Sequence, residues 1–225
     1  MKFAQQLNTA VHQPWANYYV DYKLLKKRLK DLQREHESHE VPPLSVRTPQ
    51  PSHPAPSDRF THKELQRAFF QAVENEVDKV EWFYMHRVHH ARREMQELME
   101  RWFRLSRYAE FDEYPLSATD ITHHVDQEKE IFSHFNADLS ALLHHLQLLS
   151  GNYLAMCRMA IVKILKKHDK LEARHAGLAC KEAVVRTIRA DRRFWQADDL
   201  IRLLDEVKRF KWDVIKAHIR TGAER

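Results

Sequence analysis

Two long runs of apolar residues spaced seven apart restrict the fold of this 225-residue chain more than any other feature. The first run follows Thr61-His-Lys-Glu64, which has the form of a capping box. Its apolar residues recur in two seams, which are Val77, Tyr84, Ala91, Leu98 and Leu105, and Val88, Met95 and Trp102. Such seams bury one stripe of a helix against another helix. They predict a helix of about 45 residues, roughly 65 Å long.

The second run begins after Pro115, where Ser117 to Asp120 supplies another helix-start signal. Its seams are Val125, Phe132, Leu139, Leu146 and Tyr153, and Ile121, Phe135, Leu142 and Leu149, with Glu128 as the one polar exception. This pattern predicts a second long helix that packs antiparallel to the first. We expect it to continue through Gly151, with a kink there.

Composition supports an all-α fold. The chain has only 3 glycines and 8 prolines, and 31% of its residues are charged. Two cysteines without a CxxC motif predict no disulfide framework and favour a reducing, cytosolic environment. No apolar segment typical of a signal peptide follows Met1. Polar residues interrupt 139–157, the longest charge-free run, so we expect no membrane span.

The remaining segments complete one predicted domain over residues 1–225. Residues 1–40 read as a helical hairpin, with a short helix, a break near Pro14, and a longer helix from about Trp15. Residues 41–57 hold six of the eight prolines and read as an irregular loop. Residues 58–225 form a bundle around the two long helices, ending in two shorter helices at about 176–190 and 198–220.

Positive charge is concentrated in two segments. Residues 2–36 hold seven Lys or Arg against three Asp or Glu, and residues 158–174 hold six against two. The second segment contains four lysines spaced i, i+3, i+4, i+7, which on a helix fall within an arc of roughly 100°. We call them the lysine ridge: Lys163, Lys166, Lys167 and Lys170. Their mutual repulsion costs stability unless an anion offsets it.

In the hairpin, Tyr18, Tyr22, Leu25, Leu29 and Leu32 form an apolar stripe, with lysines beside it. Lys26 lies about 40° round the helix from Tyr22, so that an ammonium and a phenol could meet one phosphate. Two bland interpretations stay open at this level. A charge run is often a solvated helix face, and a tyrosine on an apolar stripe is usually a core residue.

Sixteen histidines raise the question of a metal site. His86 and His90 are four apart with His89 between them, and adjacent pairs occur at 123/124 and 144/145. Adjacent histidines on a helix point about 100° apart, whereas zinc needs three or four convergent ligands. We therefore expect surface histidines and no metal or cofactor. No HExxH, glycine-rich phosphate loop or GxSxG motif is present, so nothing predicts an enzyme.

Three segments together resemble the SPX domain: Met1-Lys2-Phe3, Trp15 through Tyr22-Lys23-Leu24-Leu25-Lys26-Lys27, and Lys163-Ile-Leu-Lys-Lys-His-Asp-Lys170. The resemblance implies a helical hairpin packed on a bundle, and a basic surface that binds inositol pyrophosphates or inositol hexakisphosphate. It further implies Tyr22, Lys26 and Lys167 as the phosphate-contacting core, with Lys163, Lys166 and Lys170 around it. The residues implied as peripheral contacts are Lys2, Lys23, Lys27 and Lys30.

By this resemblance the chain is a non-enzymatic sensor of phosphate status, in the cytoplasm or, if it stands alone, the nucleus. The implied partner is an effector, fused or separate: a phosphate transporter, a polyphosphate polymerase, a ubiquitin ligase or a transcription factor. The alternatives are a basic helical coiled-coil module that binds anionic lipid or one that binds nucleic acid. The nucleic-acid interpretation is disfavoured because aromatic residues are not interleaved with the lysine ridge.

Overall fold

The computed structural model describes residues 3–39, 61–108, 118–175 and 177–223, which are helical almost throughout and contain no strand. The helices are α1 (Phe3–Ala10), α2 (Tyr22–His39), α3 (His62–Tyr108), α4 (Ala118–Leu148), α5 (Ala155–Glu172), α6 (Lys181–Asp191), α7 (Arg193–Gln196) and α8 (Asp198–Ala223). Short 3₁₀ helices occupy Gln13–Tyr18 and Ala173–His175, and a π-helix, Leu149–Leu154, joins α4 to α5. The predicted all-α fold is confirmed.

The long helix α3 begins where the sequence predicts. The backbone N–H of Thr61 donates to Glu64 Oε2 (2.8 Å), and the N–H of Glu64 donates to Thr61 Oγ1 (3.4 Å). These two reciprocal bonds form the predicted capping box and satisfy donors that the first turn leaves without helical partners. At 47 residues, α3 has close to the predicted length.

The hairpin differs from the prediction in where its second helix starts. The sequence pattern places that start near Trp15, but a 3₁₀ helix covers Gln13–Tyr18 and α2 begins at Tyr22. The reason is an N-cap at Asp21, whose Oδ1 accepts the N–H of Leu24 (2.9 Å). The N–H of Asp21 itself donates to Oε2 of the buried Glu76 on α3 (2.7 Å). One residue therefore both starts α2 and ties it to α3.

The chain divides into two compact units. The first comprises Met1–Trp82 and Ala155–Trp195, and the second comprises Phe83–Leu154 and Gln196–Arg225. In the second unit, α4 runs antiparallel to the later part of α3: Phe83 meets Tyr153, while Trp102 meets Phe135. Helix α8 packs on α4, where His218 stacks on Phe132 (3.6 Å) and Lys211 Nζ donates to Ser140 Oγ (2.7 Å).

In the first unit, the early part of α3 runs antiparallel to α5. Phe69 stacks on His168, with ring centroids 5.0 Å apart. Glu81 binds the N-terminus of α7 by accepting the N–H groups of Arg193 (3.1 Å) and Phe194 (2.9 Å). The predicted start of α6 near residue 176 is wrong, because this helix begins at Lys181. Its first N–H groups are held by Asp169 of α5.

The predicted seams are largely buried. Val77, Tyr84, Ala91 and Leu98 of α3 are buried, as are Leu139, Leu142, Leu146 and Tyr153 of the second run, while Val125, Ile121 and Glu128 lie outside the described side chains. Instead of a simple kink at Gly151, the structure has the π-helix Leu149–Leu154. Among the described residues, Lys129–Glu172 is long and apolar enough to span a membrane, and 44% of its most apolar window is buried. Core helices of water-soluble proteins meet the same criterion.

Replacing Asp21 with Ala should lower the free energy of unfolding by about 1 kcal/mol, because α2 loses its N-cap. Asp21→Asn is the matched control, since the amide oxygen accepts the same bond, and its stability should stay within a few tenths of a kcal/mol of wild type. Urea unfolding followed by circular dichroism measures both. Equal losses in the two variants would contradict the capping role.

Candidate functional site

Two cationic helices, α2 and α5, pack against each other within the first unit. Apolar side chains of these two helices are inaccessible to solvent, with 0% exposure for each of Leu25, Leu32, Ile161, Ile164 and Leu165. Each such burial contributes roughly 1.5–3 kcal/mol. This apolar contact brings together the lysines that flank it on both helices. The two charged segments, far apart in sequence, thus become neighbours.

An open groove of about 250 Å³ follows the line where the two helices meet. It is lined by Lys26, Leu29, Lys30 and Gln33 of α2, by Lys167, Lys170 and Leu171 of α5, and by Arg174 just beyond it. We call this the lysine groove. Five of its eight lining residues are cationic, and none of them is acidic. Such a surface attracts an anion that carries several charges.

Lys167 is the centre of the contact between hairpin and ridge. Its Nζ lies 5.6 Å from the centroid of the Tyr22 ring, within the range of a cation–π interaction. Phe3 of α1 packs edge-on against the same ring (5.0 Å), and Lys163 Nζ lies 4.3 Å from the Phe3 centroid. Tyr22 is only 4% exposed. The aromatic pair thus forms a platform for two lysines of the ridge.

Burial of part of its side chain lowers the pKa of Lys167, and the neighbouring Lys26 ammonium lowers it further. Burial also raises the pKa of Tyr22, which keeps its phenol protonated. Both effects arise where positive charge is crowded and partly dehydrated. An anion in the groove would relieve this crowding, because it favours the charged form of each lysine.

Only some of the predicted site residues line the lysine groove or lie beside it. It brings Lys26, Lys30, Lys167 and Lys170 into the lysine groove and places Tyr22 and Lys163 beside it through the Phe3 platform. Lys166 is exposed on α5 but does not line the groove. Lys23 lines a different groove, together with Tyr22 and Lys79, and Lys27 lines neither. Lys2 lies outside the described residues.

Three contributors were missed by sequence reasoning. Arg174 extends the lysine ridge by one more turn, at i+4 from Lys170, and Gln33 lies at i+3 from Lys30. Both positions continue helical spacings that the ridge and the hairpin already display, so spacing could have found them. Phe3 could not be assigned from spacing, because its contact with Tyr22 joins two different helices.

His168 and Asp169, inside the same motif, turn inward. His168 is fully buried, between Phe69 and Phe70. Asp169 accepts the N–H groups of Cys180 (2.9 Å) and Lys181 (3.0 Å) and so caps α6. Burial opposes ionisation of Asp169, but these hydrogen bonds outweigh it and lower the pKa of the carboxyl. The motif therefore presents lysines outward and a structural anchor inward.

The predicted surface histidines are exposed where their side chains are described, but the prediction did not include the histidines in the interior. His86, His89, His90, His144 and His145 are exposed, while His123 and His124 lie outside the described side chains. Within the described residues, two groups could hold a metal ion: His36, His62 and Glu172, and His168, Asp169 and Cys180. Neither complete group could be identified from spacing along the chain, because each joins separate segments. Both cysteines are free thiols, as predicted.

Comparisons with known proteins point the same way as the fold. Residues 1–66 match the sequence profile of the SPX domain. Among solved structures, the chain is similar to the SPX domain of Chaetomium thermophilum glycerophosphodiester phosphodiesterase 1, determined in complex with inositol hexakisphosphate. The TM-score is 0.66 at 20% sequence identity, covering 95% of this chain and 99% of the other. No curated protein matches the chain in sequence. The expected resemblance to the SPX domain is confirmed.

The lowered pKa of Lys167 predicts a pH dependence of stability. Between that pKa and the ordinary value near 10.5, the unfolded chain binds more protons than the folded one, so stability rises with pH. From about pH 8 to pH 10, the apparent free energy of unfolding of wild type should therefore rise relative to that of Lys167→Met. Urea unfolding at several pH values measures this difference.

Lys181→Met is the control for that experiment. Glu182 raises the pKa of Lys181, through a hydrogen bond and through its charge, so its stabilising effect is lost only above the ordinary pKa. Lys181→Met should consequently run parallel to wild type up to about pH 10. If the stability of Lys167→Met also ran parallel to that of wild type, folding would not lower the pKa of Lys167.

Proposed function

We propose that this chain binds inositol polyphosphates in the lysine groove, without catalysing a reaction on them. The observation that carries the proposal is the groove itself, with five cationic lining residues and no acidic one on two packed helices. The match of residues 1–66 to the SPX domain supports it. So does the similarity in fold to an SPX domain determined with inositol hexakisphosphate.

The arrangement of donors favours a ligand with several phosphates. Lys26 and Lys30 line the groove from α2, and Lys167 and Lys170 line it from α5, so a ligand with several phosphates can engage more of them than one phosphate can. A ring that carries phosphates in several directions could satisfy them together, and lysine suits it because its ammonium is a mobile point charge. Each charge-assisted hydrogen bond contributes on the order of 1.5–3 kcal/mol. Inorganic phosphate should therefore bind far more weakly.

The proposed core contacts are Lys26, Lys167 and Lys170, with Tyr22 holding Lys167 in place and available as a hydroxyl donor. Lys30, Gln33 and Arg174 extend the groove along the helices. Lys163 and Lys166 contribute to the surrounding field, and Lys2, Lys23 and Lys27 are the most peripheral. Inositol pyrophosphates and inositol hexakisphosphate share this chemistry, and both are proposed ligands.

Binding would also serve as a signal. Repulsion between Lys26 and Lys167 opposes the packing of α2 on α5 in the absence of ligand, and an anion between them removes that repulsion. Occupancy would thus stabilise the contact between hairpin and ridge. An effector that recognises this contact would respond to cellular phosphate status, which is the sensor role we propose in the cytoplasm.

The decisive variant is Lys26→Ala/Lys167→Ala/Lys170→Ala. It should weaken inositol hexakisphosphate binding at least about 100-fold in calorimetry at fixed salt, because three charge-assisted bonds are lost. The fold should persist, since these substitutions remove like charges rather than core contacts. Tyr22→Phe should cost several-fold at most, because a single hydroxyl contributes about 1 kcal/mol.

The matched control is Lys208→Ala/Arg209→Ala/Lys216→Ala on α8, which removes the same charge from exposed positions. This control should bind within about threefold of wild type, because none of the three residues lines the lysine groove and salt screens exposed charges. Equal weakening in both triple variants would contradict the assignment of the site to the lysine groove.

Liposomes with anionic lipid, with and without inositol hexakisphosphate as competitor, separate the proposal from a membrane-surface role. Lipid binding that the competitor leaves unchanged would count against the groove as the shared site.

A further inference from the structure

Three histidines from three helices surround one buried carboxylate oxygen in the first unit. His36 of α2, His62 of α3 and His168 of α5 place their Nε2 atoms 3.7, 3.8 and 3.8 Å from Glu172 Oε1. The Glu172 side chain is 4% exposed and that of His168 is fully buried. We call these four residues the histidine cluster.

His62, His168 and Glu172 each have a polar atom that the described part of the protein leaves without a hydrogen-bond partner. Within the part of the chain that the structure describes, His168 Nε2, His62 Nδ1 and Glu172 Oε1 are buried without a hydrogen-bond partner. A buried carboxylate that lacks compensation costs several kcal/mol. The distances of 3.7–3.8 Å are too long for hydrogen bonds between the members. A cation that accepts lone pairs from these atoms would remove this free-energy cost.

The spacing suits a small divalent cation. Ligand atoms bound tetrahedrally at zinc distances of about 2.0–2.1 Å lie about 3.3–3.4 Å apart, so the 3.7–3.8 Å between each histidine Nε2 and Glu172 Oε1 need to shrink only slightly. The candidate ligand atoms of His36, His62 and Glu172 all lie within 4.8 Å of one another. Imidazole with a single carboxylate favours zinc and similar transition metals over calcium or magnesium, which prefer oxygen ligands.

His168 is oriented to offer its Nε2 lone pair. Its Nδ1 lies 3.5 Å from Asp169 Oδ1 and 3.4 Å from Cys180 Sγ. Since Asp169 is held as an acceptor by two backbone N–H groups, the imidazole N–H at Nδ1 is the donor to it. Nε2 therefore carries the lone pair, and it faces Glu172. A histidine whose second nitrogen donates to a carboxylate is the usual arrangement behind a metal ligand.

The competing group of His168, Asp169 and Cys180 is a weaker metal site. The Asp169 oxygens are already engaged by the N–H groups of Cys180 and Lys181. Cys180 Sγ also donates to Asp169 Oδ1 (3.4 Å), so the sulfur is engaged within the group as well. Asp169 and Cys180 instead contact the Nδ1 side of the His168 ring.

We propose that His36, His62 and Glu172 bind a divalent cation of the zinc class, with His168 as the fourth donor. Such an ion links α2, α3 and α5 at one point. His36 lies one turn beyond Gln33, and Glu172 lies between Leu171 and Arg174, so the ion would sit at the end of the lysine groove. Gly177 closes over the other side of Glu172, where a Cβ would overlap Oε2.

The test uses the full chain without a histidine tag, stripped with EDTA and kept in phosphate-free buffer. Zn²⁺ alone, titrated in a calorimeter, should bind one ion per chain with high affinity, and Co²⁺ alone should give the visible d–d bands of four-coordinate cobalt. His62→Gln and Glu172→Gln should each weaken Zn²⁺ binding at least about 100-fold, since each removes a direct ligand. Added Zn²⁺ should raise the melting temperature of wild type.

His86→Gln/His90→Gln is the matched control, because it removes two histidines that lie four apart on the surface of α3. It should leave Zn²⁺ affinity unchanged. His62 is partly exposed, so His62→Gln keeps the experiment valid even if Glu172→Gln fails to fold. The Lys26→Ala/Lys167→Ala/Lys170→Ala variant should retain Zn²⁺ binding, which separates this inference from the proposed function.

Three results would overturn the metal site: no saturable Zn²⁺ binding by wild type, unchanged affinity in His62→Gln, or loss of affinity in His86→Gln/His90→Gln. In the first case the histidine cluster holds no metal ion. In the last, the ion binds the surface of α3. Binding that disappears in His62→Gln and persists in the surface control supports the site.

Discussion

The packing of α2 on α5 is the contact on which the candidate site depends. Two helices that carry lysines along the same edge repel each other, yet their shared apolar face is fully buried. Burial of several leucine and isoleucine side chains, each worth roughly 1.5–3 kcal/mol, exceeds the screened repulsion between partly exposed lysines. The repulsion is not removed by this balance. Burial lowers the pKa of Lys167, the repulsion from Lys26 lowers it further, and this repulsion makes the groove receptive to an anion.

Much of this architecture is legible in the sequence. The seven-residue seams predict both long helices, and the Thr61–Glu64 capping box predicts the start of α3 within a residue. The spacing of Lys167 and Lys170 predicts a charged face, which the structure places in the lysine groove. The start of α2 was misplaced because the apolar stripe continues back through Tyr18, while the hydrogen bonding of Asp21 decides where the helix begins. Apolar periodicity does not show which residue caps a helix and so sets its start.

What the sequence could not supply is contact between segments distant along the chain. The Phe3 platform, the capping of α6 by Asp169 and the histidine cluster each join residues from different helices. Apart from His168 and Glu172, which are four apart on α5, their members share no helical spacing, so no pattern along the chain identifies the full sets. The inward turn of His168 and Asp169 is a related case. Helical geometry places them on a different face from Lys167, but only the packed neighbours show what that face contacts.

The π-helix at Leu149–Leu154 decides which residues of α5 are exposed. The spacing of Leu142 and Leu149, continued without interruption, reaches Lys163 and Lys170, and that of Leu146 and Tyr153 reaches Lys167. Those lysines would then occupy core positions. Five of the buried residues come one place later, namely Cys157, Ile161, Ile164, His168 and Leu171, and Ala160 and Leu165 are buried beside them. A π-turn accommodates one extra residue, which rotates everything after it by about 100°. The cationic surface thus exists because of a one-residue shift in backbone hydrogen bonding, as much as because of the lysines themselves.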